Sequence, residues 1–169
     1  MEFILHHAFL FSQITVTLAL GLVCLSFCFK ERRHILIVRI ASITLFALQY
    51  WLLGAFTAFW LMMASLLRTV IAYFSPLKSL SFVFLCIIIG IGIFTYQGSP
   101  SIIATAASMI GCVSIFQPQD KALREYQFGA VGFWILHSLL IWSPIAIMGN
   151  MGIFISNAWN YYRFYHRFK

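Results

Sequence analysis

The stretch Leu45 to Ser75 contains two long apolar segments that are joined by an uncharged turn at Gly54. Each segment approaches the length of a membrane-spanning helix, which needs about 20 predominantly apolar residues. The polar residues within the apolar runs include Gln49, Ser65 and Arg68. A hairpin of this length and composition predicts two helices that pack together within a lipid bilayer.

The same plan occurs a second time, from Phe133 to Phe168. A shift of 88 residues aligns Gln49 with His137, and it also aligns Cys24 with Cys112. After the second hairpin turn we expect the shift to grow to 95, which pairs Met62 with Asn157, Ser65 with Asn160 and Arg68 with Arg163. The apolar hairpin and its matched polar residues thus occur twice. This pattern predicts a membrane protein that is built from two repeats, with a binding site between the halves.

Composition supports this class of protein. Hydrophobic residues make up 62% of the 169 residues and charged residues only 9%, which excludes an ordinary soluble domain. The apolar runs are continuous and show no alternation with a period of two, so helices are expected and a β-barrel is not. The chain is therefore predicted to be a single all-α integral membrane domain covering residues 1–169.

Seven apolar runs follow one another along the chain, at residues 9–29, 35–53, 56–74, 80–97, 101–117, 126–142 and 145–165. All eleven Lys and Arg residues lie in or beside the loops after the first, third, fifth and seventh runs. The positive-inside rule then predicts an outer N-terminus and a cytoplasmic C-terminus. The net charge of +7 is explained by this topology, so no nucleic-acid partner is expected.

The fourth run falls outside the repeat and determines its orientation. Three-helix units that follow one another directly must be inverted, whereas one additional span between them restores a parallel orientation. We therefore predict a first three-helix repeat at residues 9–75, a linker helix at 80–97 and a second repeat at 101–165. This 3+1+3 parallel layout, with an axis along the membrane normal, is the layout of SWEET transporters.

Several short motifs carry a resemblance to a known family. The motifs are Gln13, LSFCFKERR from Leu25, LFALQYWLLGAFTA from Leu45, SLLR from Ser65 and the late series Asn157, Asn160 and Arg163. They resemble the Imp-YgjV family of bacterial inner-membrane proteins, over nearly the whole chain. That family is similar to the wider SWEET and PQ-loop group, and Pro118-Gln119 resembles one PQ motif. The resemblance implies a multi-pass protein of the bacterial inner membrane.

SWEET transporters carry one asparagine on each of their third and seventh spans, near the sugar site. Asn157 resembles the second of that pair, and Met62 stands where the first would be. We expect a small-solute permease or facilitator with its binding site between the two bundles. Its expected partners are the lipid bilayer, a small solute and, in a homo-oligomer, further copies of the chain. The expected substrate-binding residues are Gln49, Met62, Arg68, His137, Asn157 and Asn160.

Other functions have less support in the sequence. A scaffold or receptor that holds a lipid or a partner helix would use the small residues of span five, and a vitamin carrier similar to PnuC-type transporters would use aromatic stacking from Trp51, Trp60, Trp134 or Trp159. The chain lacks HExxH, GxSxG and phosphate-loop motifs and paired intramembrane acids. We therefore expect no enzyme activity, no cofactor and no metal site.

Overall fold

The computed structural model describes residues 2–26, 32–74, 79–117 and 120–165. Within these ranges the chain forms seven α-helices and no β-strand, as the apolar runs predict. The helices are α1 (Glu2–Ser26), α2 (Arg32–Leu52), α3 (Phe56–Phe74), α4 (Ser79–Phe94), α5 (Ser99–Ile115), α6 (Asp120–Leu140) and α7 (Pro144–Tyr165). The Pro118-Gln119 motif lies outside the described residues.

Local sequence explains where several helices begin and end. Gly54 has a φ of 69° and separates α2 from α3, and Gly98 has a φ of 103° immediately before α5. Glycine adopts this left-handed region without the steric cost that a Cβ imposes. Pro100 lies in the first turn of α5 and Pro144 is the first residue of α7, where a missing backbone N–H breaks no helical hydrogen bond.

The surface of the helices is strongly apolar. Many large hydrophobic side chains are exposed, and on α4 Phe82 is 73% exposed and Phe94 is 91% exposed. In the described part of the chain, His7–Leu25 alone is long and apolar enough to qualify as a membrane span by itself. Four shorter apolar stretches accompany it: Leu36–Leu52, Phe56–Ile71, Ser79–Phe94 and Ser99–Ile115.

Six of the seven helices form a closed ring. Going round it, α1 packs on α2, α2 on α3, α3 on α5, α5 on α6, α6 on α7 and α7 on α1. Every one of these contacts has a counterpart when α1, α2 and α3 are exchanged for α5, α6 and α7. Helix α4 lies outside the ring and packs on α3 and α5. The ring leaves space at its centre, where the candidate site lies.

Candidate functional site

A cavity of about 200 Å³ occupies the centre of the ring, and all six ring helices contribute to its lining. It is several times larger than the space that one buried water needs. Its wall combines apolar side chains with serine, arginine, glutamine and asparagine side chains. The cavity is therefore large enough, and polar enough, to hold a small solute.

One end of the cavity, which we call the arginine end, carries Arg39 from α2 and Arg68 from α3. Arg39 lies seven residues after the start of α2, and Arg68 lies six residues before the end of α3, so both are about 10 Å along their helices from the same end of the bundle. Because both arginines line the same cavity at the same level, their like charges disfavour one another. Arg68 is only 5% exposed, and its Nη2 donates a long hydrogen bond of 3.4 Å to Ser65 Oγ.

The opposite half of the wall carries polar residues without charge. Asn157 of α7 donates from Nδ2 to the backbone oxygen of Arg124 on α6, at 3.0 Å. Asn150 donates from Nδ2 to Ser138 Oγ at 3.1 Å, which is a second link between α7 and α6. Gln127 of α6 also lines the cavity. The amide groups of α6 and α7 thus face the arginine-bearing helices across the cavity.

At the other end of the cavity, the aromatic end, three rings pack against one another. Tyr50 of α2 stacks on Trp134 of α6 with ring centroids 5.8 Å apart, and both rings line the cavity. His137 packs edge-on against both of them, with centroids 5.5 Å and 5.4 Å away. Beside these rings, Gln49 Nε2 donates to Ser143 Oγ at 3.1 Å. These contacts connect the first three-helix group to the second.

The structure brings three of the predicted binding residues to one cavity, namely Met62, Arg68 and Asn157. Gln49 and His137 are fully buried nearby but do not line it. Asn160 belongs to α7, and its side chain lies outside the described part of the structure. Arg163, which the sequence pairs with Arg68, is exposed. Among the predicted stacking tryptophans, Trp134 lines the cavity, while Trp51, Trp60 and Trp159 are about half exposed or more.

The comparison with protein families identifies the class of the chain. The family model described as bacterial inner membrane protein, Imp-YgjV, matches residues 10–168. The chain belongs to the Imp-YgjV family. No curated protein and no solved structure matches it, so the comparisons add no relative with a known substrate.

In this Imp-YgjV protein, several cavity residues were not predicted from the sequence. They include Arg39, which the sequence places just inside the second apolar run after the first basic loop, and Tyr50, Ser108, Gln127 and Asn150. A positional signal for Arg39 was available. Arg39 precedes Gly54 by 15 residues and Arg68 follows it by 14, so an antiparallel hairpin that turns at Gly54 places them at the same level.

In the described part of the protein, three of the six buried polar side-chain atoms without a hydrogen-bond partner belong to residues of the cavity wall. These three are Nε and Nη1 of Arg68 and Oγ of Ser108. Most buried polar atoms in native proteins are paired, so these three atoms have hydrogen-bonding capacity that a water or a small solute can use. The same part of the chain contains no group of three metal-binding side chains.

Proposed function

We propose that this Imp-YgjV protein is a small-solute permease or facilitator whose seven helices all cross the inner membrane. The observation that carries the proposal is the polar central cavity, because a buried cavity with charged groups in a membrane protein marks a substrate path. The exchange symmetry of the ring contacts supports two parallel three-helix bundles, α1–α3 and α5–α7, with the solute between them. The SWEET-like relation is part of this proposal.

The same arrangement suggests how access would alternate. The arginine end would face the cytoplasm, in agreement with the distribution of Lys and Arg along the chain, and the aromatic end would face outward. Rocking of one bundle against the other would separate Tyr50 from Trp134 and break the bond between Gln49 and Ser143. In this proposal, these contacts would keep the outward end closed until the bundles rock apart.

The alternative, a scaffold that uses the small residues of α5 as an interface, has less support. Ala104 and Ala107 are 0% exposed and Ser108 is 3% exposed, so this face of α5 is already used inside the ring. A scaffold also gives no reason for unpaired arginine nitrogens in a central cavity.

Cysteine accessibility tests the permease directly and needs no known substrate. In a variant with Cys24, Cys28, Cys86 and Cys112 replaced by serine, Ser108→Cys places one thiol in the cavity wall. We expect a membrane-impermeant anionic methanethiosulfonate, whose charge is compatible with the arginines of the cavity, to modify it from each side, in right-side-out and in inverted vesicles.

The matched control is Val83→Cys, at a position that is 50% exposed on α4 outside the ring and is expected to face lipid. This thiol should stay unmodified in both kinds of vesicle. Modification of the Ser108→Cys thiol from one side only, or from neither, would contradict the permease and favour a receptor or scaffold.

A further inference from the structure

Two arginines line one cavity, and within the described residues neither of them pairs with a carboxylate. The chain has four acidic residues: Glu2, Glu31, Asp120 and Glu125. Glu2 and Asp120 are the first residues of α1 and α6, and their side chains, like Glu31, lie outside the described part of the structure. Glu125 is about half exposed and is paired with Lys121 and Tyr161.

An uncompensated arginine pair is costly at this position. Burying a single charge is unfavourable unless it is paired and hydrogen-bonded, and a second like charge nearby adds repulsion. Arg39 is partly exposed and makes no ion pair within the described residues. The buried Arg68 contacts the Cys112 thiol and makes one long bond to Ser65, while its Nε and Nη1 have no protein acceptor. A structural role would be better served by an apolar side chain. The arrangement is stabilised once an anion lies between the two groups.

The remaining polar groups of the wall fit this occupant. Ser108 Oγ is buried without a partner in the protein and can donate a hydrogen bond to the anion. A guanidinium group presents parallel N–H donors that match the two oxygens of a carboxylate or phosphate. Tyr50 and Trp134 supply an apolar aromatic wall at the other end of the cavity.

The volume limits the size of the solute. A cavity of 150 Å³ holds benzene, so one of about 200 Å³ holds a molecule of about eight nonhydrogen atoms. Inorganic phosphate and short or aromatic monocarboxylates are of this size, whereas nucleotides and whole phospholipids are too large.

We propose that Arg39 and Arg68 form the binding site for the carboxylate or phosphate group of a small anion, with Ser108 as a further donor. This assignment rests on the proposed permease in taking the cavity as the solute site. It names the substrate class of that site, an oxyanion. It also explains why positive charge is kept within the ring.

The test measures the thermal unfolding of delipidated protein in a neutral maltoside detergent at constant ionic strength. The probes are benzoate, inorganic phosphate and benzamide, the last as a neutral molecule of the same shape as benzoate. We expect benzoate or phosphate to raise Tm in a saturable manner and benzamide to leave it unchanged. An equal response to benzamide, or no response to any anion or anionic lipid, would overturn the proposal.

Substitutions show whether the two arginines carry the effect. Arg68→Met should raise the Tm of the unliganded protein, because it removes an unpaired buried charge, and it should abolish the response to anions. Arg39→Gln should weaken apparent binding by about tenfold or more, as expected for a lost charge-assisted hydrogen bond. Arg163→Gln, at an exposed arginine of α7, is the matched control and should respond like the unmodified protein.

Further arms separate the possible sources of the anion and the two proposals. A Tm increase that requires Arg68 and occurs with added phosphatidylglycerol, but with neither benzoate nor phosphate, would support the oxyanion site and assign it to a lipid headgroup. An unchanged benzoate response in both Arg68→Met and Arg39→Gln would overturn the site. If anions bind but the Ser108→Cys thiol is not modified from both sides, the permease is refuted and the oxyanion site stands. If the thiol is modified from both sides but no anion binds, the oxyanion site is refuted and the permease stands.

Discussion

Gly54 and Trp142 both have a positive backbone φ, of 69° and 51°, and they occupy the same position in two turns that lie 88 residues apart. The N–H of Gly54 donates to the oxygen of Trp51 at 3.1 Å, and the N–H of Trp142 donates to that of Leu139 at 3.2 Å. Three more pairs of backbone N–H to oxygen hydrogen bonds recur at the same shift of 88. In the first turn they run from Leu53 to Gln49, from Ala55 to Tyr50 and from Phe59 to Ala55. In the second turn they run from Ile141 to His137, from Ser143 to Ser138 and from Ile147 to Ser143. The two turns therefore have the same hydrogen-bond pattern.

This relationship predicts the cost of changing Gly54. Alanine in the left-handed region places its Cβ too close to the following carbonyl oxygen, so Gly54→Ala should lower the free energy of unfolding by about 1–2 kcal/mol. Gly132→Ala is the matched control, because Gly132 lies inside α6 with open space where a Cβ would be. The control should gain up to about 1 kcal/mol. Thermal unfolding in detergent measures both; equal effects would contradict the argument.

Close packing of α1 on α7 predicts a second difference between two glycines. A Cβ on Gly149 would overlap the side chain of Leu20, whereas a Cβ on Gly152 would meet nothing within 4 Å. Overpacking typically costs about 1–3 kcal/mol, so Gly149→Ala should destabilise the protein. Gly152→Ala, one turn further along the same helix, should leave stability unchanged or raise it. A stable Gly149→Ala variant would show that Leu20 rearranges at little cost.

A polar cluster connects the ends of α3, α4 and α5. The hydroxyl of Thr57, which is 2% exposed, bonds to the backbone oxygen of Thr95, and its Oγ lies 2.9 Å from Ser101 Oγ. Thr57→Val removes the hydroxyl at nearly constant shape and leaves Ser101 with one partner fewer. We expect a loss of about 1–3 kcal/mol in unfolding free energy. Thr44→Val is the control, since the exposed Thr44 bonds only to the Ile40 oxygen of its own helix, and its cost should be much smaller.

The sequence predicts the helices well because apolar runs of this length have few alternatives in a bilayer. It also identifies Gln49 and His137 as matched positions, and the structure places them at equivalent points before the two turns. The sequence predicts that the shift between the repeats grows from 88 to 95 after the second hairpin turn. The backbone hydrogen bonds of the two turns keep a shift of 88 as far as Ile147, which lies in α7. A pairwise comparison of residue types has no way to find this register when the matched residues differ in chemistry, as Gly54 and Trp142 do.

The contents of the cavity were less predictable. In the sequence, Arg39 stands just inside the second apolar run, close to the basic residues of the preceding loop. Its position beside Arg68 in the folded hairpin shows that it belongs to the cavity. The contact of Tyr50 with Trp134 joins helices that are distant in sequence, so no local pattern indicates it. The rings of Tyr50 and Trp134, which line the cavity, pack against His137, which does not line it.

The hydrogen bond between Gln49 and Ser143 predicts a specific change in access. Gln49 is fully buried, and its Oε1 has no protein partner, so Gln49→Leu removes one bond and one unpaired acceptor at similar volume. The buried Ser143 Oγ loses this donor, and removal of the unpaired Oε1 offsets part of that cost, so the free energy of unfolding should fall by about 1 kcal/mol. Opening of the aromatic end should become easier by about 1 kcal/mol, which corresponds to about fivefold faster modification of the Ser108→Cys thiol from that side.

The measurement compares modification rates in vesicles of the two orientations, with Gln49→Leu added to the single-cysteine variant. The rate from the arginine end should stay unchanged, because Gln49 lies at the opposite end of the cavity. Thr44→Val in the same background is the control, since its hydroxyl makes no contact between bundles and neither rate should change. An unchanged rate from the aromatic end, with the control also unchanged, would show that Gln49 and Ser143 do not hold this end closed. Opening would then depend on the separation of Tyr50 from Trp134.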